Sequence, residues 1–180
     1  MLSVYVIPDR ATVPVGYSLP AELTARGLPT QWVDERCDPA ENGVRLSFYD
    51  QPYPYDLEED GGDVIIWNPD TRDVRYLSRG DVEAVRRAIP GTPLTHLRYS
   101  YYILTEDMDR DLDALQCEGL TCQICASHLD GTDSVLAVDV LDLYGEFNNP
   151  VYPGEMIVYA DGVLYETIPE EVVKAVRSTS

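Results

Sequence analysis

The 180-residue chain is 44% hydrophobic and 25% charged, enough to bury a core covering roughly 70% of the surface its unfolded form exposes. Thirteen basic residues against 32 acidic ones leave a net charge of −19, and the densest basic cluster is Arg86 with Arg87, so direct binding to nucleic-acid phosphates is not expected. No apolar run approaches the roughly 18 residues of a membrane span, and the opening MLSVYVIPDR lacks the basic start and apolar stretch of a signal peptide.

In chain order, Leu2 to Ile7 (LSVYVI) reads as a first strand closed by Pro8. Ser18 is placed to cap a short helix through Arg26, with Pro20 in the first turn and Gly27 as its stop. A turn-rich stretch leads to an alternating strand, Val44 to Tyr49. Residues 50–62 (DQPYPYDLEEDGG) carry two prolines, three consecutive acids and a Gly pair, the composition of a surface loop. Val64 to Trp67 and Asp73 to Leu77 form a hairpin across NPDTR. Ser78 caps a second helix with Val82, Val85 and Ile89 on one face, stopped at Pro90-Gly91. Leu97 to Leu104 (LRYSYYIL) is a strand feeding a third helix, with Thr105 as its N-cap and acids in its first turn.

Further on, Ser134 to Leu143 (SVLAVDVLDL) reads as a buried strand. Met156 to Ile168 is the clearest hairpin in the chain, turned at Asp161-Gly162. Pro169 opens a last helix whose apolar face is Val172, Val173 and Val176, so that a hairpin and helix fill residues 156–177. No internal repeat or heptad is present. Strand pairs separated by single helices predict one α+β domain over residues 1–180, with a mostly antiparallel sheet, hairpins and three to four short helices.

Of the thirteen basic residues, twelve are Arg and only Lys174 is Lys. In dilute buffer so large a charge costs stability through self-repulsion, whereas at molar salt the Debye length falls to about 3 Å and the repulsion is screened. Arginine is more weakly hydrated than lysine and pairs through a planar fork. An acid-rich, lysine-poor surface is therefore the expectation for a protein of a concentrated-salt, halophilic setting, kept in the cytoplasm or in a virion.

The sharpest local motif is CEGLTCQIC, in which Cys117, Cys122 and Cys125 are spaced C-x4-C-x2-C. Two thiolates three residues apart can grip one metal ion, with Cys37 or His128 completing a zinc site. The spacing resembles the first three cluster ligands of plant-type ferredoxins, but the fourth, downstream cysteine of that family is absent here. The competing reading is that these are buried thiols packed as small hydrophobes. Asp107, Asp109, Asp111, Asp113 and Glu118 fall at EF-hand positions, yet Leu112 stands where the loop needs Gly, and Met108, Leu112 and Leu115 recur at helical spacing. His96 and His128 sit in no mechanistic motif, and no phosphate-cradling glycine loop occurs.

Thirteen tyrosines against two phenylalanines give the chain rings that carry a polar handle. Tyr49, Tyr53 and Tyr55 on the Pro-rich loop form a candidate docking element for a protein partner. Together these features predict a non-enzymatic structural or assembly protein without a cofactor, in a homo- or hetero-oligomer such as a virion component from a virus of a halophilic host. The alternatives are an acidic, nucleic-acid-mimicking inhibitor of a defence or transcription protein, and a small zinc or iron–sulfur protein.

Overall fold

The computed structural model describes residues 1–34, 44–52, 61–128 and 134–179. The chain forms two compact units, Met1–Val82 and Glu83–Ser180. Every strand pairing among the described residues is antiparallel, and four helices accompany the strands. The fold is α+β, as its alternation of hairpins and short helices predicts.

The first unit contains β1 (Ser3–Val6), α1 (Leu19–Ala25), β2 (Thr30–Asp34), β3 (Val44–Phe48), β4 (Gln51–Pro52), β5 (Val64–Trp67) and β6 (Val74–Leu77). They form two three-stranded sheets, ordered β1-β5-β6 and β2-β3-β4. Ser18 caps α1 by accepting from the Ala21 N–H at 3.4 Å, and Leu19 and Leu23 turn inward from the helix. They join Leu28, Leu46, Phe48, Ile65 and Trp67 in one core. Asp63, at the head of β5, is itself buried. It accepts from the Arg79 N–H at 2.7 Å and from the Tyr76 hydroxyl, which ties β5 to β6 and to the segment that follows.

A helix, α2 (Arg79–Arg87), carries the chain into the second unit. There follow β7 (Leu94–His96), β8 (Tyr99–Ile103), α3 (Met108–Cys117), β9 (Cys122–His128), β10 (Ser134–Leu141), β11 (Phe147–Val151), β12 (Met156–Ala160), β13 (Val163–Ile168) and α4 (Glu170–Ser178). Two sheets result, ordered β13-β12-β8-β7 and β11-β10-β9. Tyr102, Ile157 and Tyr159 from the first, Cys122, Val138, Val140 and Val151 from the second, and Leu115 of α3 share a core. The alternate residues Tyr101, Ile103, Met156 and Val158 are also buried, so both faces of the central strands β8 and β12 are covered. The valine face of α4 is buried as expected.

Several expectations need correction. The strand expected from Leu97 begins at Tyr99, because Leu97 and Arg98 form the turn from β7. Ile89 lies beyond the end of α2 and is 65% exposed rather than part of its buried face. The cap of α3 is Asp107, which accepts from the Arg110 N–H at 3.2 Å, not Thr105. The Thr105 hydroxyl and N–H are both committed to Asp111, which holds that residue outside the helix. The stretch before Val44, read as turn-rich, contains a strand, β2, paired with β3, and β7, β9 and β11 fall in segments that the sequence pattern leaves unassigned. Of the expected 50–62 loop, Gln51–Pro52 pairs with β3, and residues 53–60 lie outside the described residues.

Two features fix the register of the second unit. At the tip of β12–β13, Asp161 and Gly162 take φ values of 52° and 72°, the left-handed pair of a type I′ turn. A Cβ on Gly162 would lie 2.7 Å from the Gly119 carbonyl oxygen. The second feature is Asp111, fully buried, whose carboxylate accepts from the Tyr102 hydroxyl and the Thr105 N–H, both at 2.7 Å. Burial and this bond together push the Tyr102 hydroxyl far above the usual phenol range, so it remains a donor.

Asp111→Ala strips three donors, the Tyr102 hydroxyl and the Thr105 N–H and hydroxyl, of their acceptor and is expected to destabilise by about 3 kcal/mol. Tyr102→Phe removes one donor and is expected to cost about 1 kcal/mol. Urea unfolding midpoints of the two variants check both values, and equal midpoints would show that the carboxylate does not organise this unit.

Candidate functional site

The cysteine run crosses from a helix end into a strand. Cys117 is the last residue of α3 and is exposed, Cys122 opens β9 and is buried, and Cys125 is half-buried. Strand β9 pairs with β10 without a break in register from Cys122 to His128. Side chains alternate along such a strand, so Cys122 and Cys125, three apart, project from opposite faces. Cys122 packs in the core, with its thiol 4.0 Å from the Leu112 carbonyl oxygen. The pair therefore does not converge on a point where one ion could sit. His128 closes β9, Cys37 lies outside the described residues, and no group of three potential ligands occurs among the described residues.

The same burial sets thiol chemistry. Removal from water pushes Cys122 up to about 11, and burial followed by the nearby Asp139 charge raises Cys125. Residues 108–117 of the EF-hand-like register are helix, with Leu112 mid-helix where a calcium loop needs its sharp turn. Its Asp111 carboxylate is consumed by Tyr102 and Thr105. His96 lies on β7 with Nδ1 3.3 Å from the Arg87 guanidinium and Nε2 3.2 Å from the Glu83 carboxylate, so it fastens β7 to α2.

Of the three tyrosines singled out for docking, Tyr49 packs against the core of the first unit. Its hydroxyl is buried without a hydrogen-bond partner among the described residues, and Arg72 sits 5.7 Å from its ring centroid. Tyr53 and Tyr55 lie outside the described residues.

A surface that sequence patterning missed is the β10–β11 tip, residues 142–146. Asp142 accepts from the Tyr144 and Glu146 N–H groups at 2.8 and 2.9 Å, and its backbone bonds to Glu146 and Gly145 close the turn. Gly145 supplies the left-handed residue, with φ 79°. This cage holds Leu143 and Tyr144 outward, 71% and 87% exposed. The only sequence signal was the Asp-Leu-Tyr-Gly order. It was obscured because Asp142 and Leu143 extend the apolar run of β10. A second exposed apolar group, Leu97, stands on the β7–β8 turn at 78% exposure.

Compared with protein-family models, with curated proteins and with solved structures, the chain matches none. Among the described residues, no helix is long and apolar enough to cross a membrane.

Thiol placement gives a direct check. In the native protein at pH 8, a thiol-reactive disulfide reagent is expected to label Cys117 at least about 100-fold faster than Cys122, because only the thiolate attacks. Peptide mass spectrometry resolves the two sites, and the difference is expected to disappear in denaturant.

Proposed function

We propose that the protein is a non-enzymatic structural component of a multisubunit assembly that works in concentrated salt, of which a virion from a salt-living host is one kind. The observation that carries this reading is the β10–β11 tip. There a bulky apolar pair is held into solvent by a hydrogen-bonded turn, which lowers the ordering cost of docking onto another protein. The Cys122 and Cys125 thiols, which project to opposite faces of β9, do not converge on one ion.

The distribution of charge supports salt adaptation over mimicry of nucleic acid. Exposed acids stand on turns and helices of both units, among them Asp9, Asp70, Asp109, Asp113, Asp161 and Glu171. An inhibitor shaped like a phosphate backbone needs them gathered in a row, whereas a hydrated anionic shell needs them dispersed.

The test is the native mass and metal content of the untagged chain, followed together from dilute buffer to multimolar potassium chloride. Metal-free oligomers that appear as salt rises are the expected result. A folded monomer at every salt concentration carrying stoichiometric zinc or iron would replace the assembly reading with a metalloprotein.

A further inference from the structure

Two exposed apolar surfaces of the second unit differ in charge. The β10–β11 tip presents Leu143 and Tyr144 between Asp142 and Glu146. The β7–β8 turn has the opposite character. His96 pairs with Tyr99, so Leu97 and Arg98 make up the whole connection. Leu97 adopts φ 56°, a left-handed conformation that strains a bulky residue and normally selects glycine in such a turn. At 78% exposure, its packing within the chain does little to offset that strain. Beside it the Arg98 guanidinium lies 5.0 Å from the Tyr99 ring centroid, and Tyr99 lies 4.7 Å from the ring of Tyr165, itself 62% exposed.

We propose that the β10–β11 tip of one copy docks on the Leu97–Arg98–Tyr165 surface of a second copy, in a head-to-tail contact between identical chains. This rests on the assembly reading above and names its partner. Charge complementarity selects the occupant: Asp142, Glu146 and Arg98 are in no ion pair among the described residues. The contact would bring the two carboxylates to the guanidinium and the apolar pair to the aromatic one. A symmetric tip-to-tip contact would instead set Asp142 and Glu146 against their own copies. Both surfaces are exposed in the same chain, so neither covers the other within one copy. Each docked copy leaves one tip and one turn open, and the contact therefore propagates into a ring or a filament.

Magnitudes set the conditions. Two or three side chains on each side bury less than the ~1,200 Å² of a standard interface, and copies at −19 repel. Association is therefore expected at high protein concentration and in multimolar salt, where only contact-range charges still act.

The experiment is sedimentation velocity of the full chain in a potassium chloride series, with two double variants. Leu143→Ser with Tyr144→Ser removes the tip, and Leu97→Gly with Arg98→Glu removes the docking surface while relieving the turn. Wild type is expected to associate as salt rises, and each variant alone to sediment as the 20.2 kDa monomer. An equimolar mixture is expected to form a dimer and stop there, because one intact tip meets one intact surface. Variants that associate like wild type would overturn this contact and leave assembly standing. Wild type that remains monomeric at every salt and protein concentration would overturn both the contact and self-assembly.

Discussion

Thirty-two carboxylates on one chain constrain every layer of this structure, because each must either remain hydrated or be met inside by donors. Burying an unpaired carboxylate costs several kcal/mol. Asp63, Asp111 and Asp139 are buried nonetheless, and each is met by backbone N–H groups or hydroxyls. Asp63 takes the Arg79 N–H and the Tyr76 hydroxyl. Asp111 takes the Thr105 N–H and the Tyr102 hydroxyl. Asp139 takes the Asn149 N–H at 2.9 Å, beside Pro150, which has no N–H to offer the ladder. The buried acids thus act as joints between segments, each accepting from a group on another element.

The scarce cations are spent on carbonyl groups as well as on acids. Arg177 of α4 donates to the Val85 carbonyl at 3.0 Å and to that of Ala88, satisfying acceptors that the end of α2 leaves open. Arg110 reaches the Gly91 carbonyl at 3.3 Å. With arginines committed in this way, the exposed guanidinium of Arg98 over Tyr99 stands out as a group suited to meet a carboxylate from outside. Under the proposed assembly, the same charge excess would keep copies apart in dilute buffer and make their contacts conditional on salt. In this account solvation of the acids and assembly are one mechanism.

Most of the regular elements were legible because their periodicity and punctuation agree. Ser18, Pro20 and Gly27 bracket α1, Asp161-Gly162 turns β12 into β13, and the valines of α4 mark its buried face. The misses have local causes. β9 was hidden because its cysteines invite a ligand reading, although three-residue spacing in a strand separates the thiols rather than pairing them. β11 (FNNPV) carries Asn-Asn-Pro, a turn signal overridden by pairing with β10 and by the Asp139 bond. Leu97 looks like a strand residue by type, and nothing in its chemistry announces a left-handed turn. The tip at Leu143 and Tyr144 was absorbed into the apolar run before it. Exposure is decided by where a strand stops, and here the end of β10 is set by the local turn bonds of Asp142.

The central claim is that the anionic surface is built for screening by salt, and equilibrium unfolding tests it most directly. Urea midpoints of the full chain, followed by circular dichroism from dilute buffer to multimolar potassium chloride at neutral pH, are predicted to rise steeply and continuously with salt. A midpoint that is flat across the series, or highest in dilute buffer, would contradict the account and require another cause for the charge.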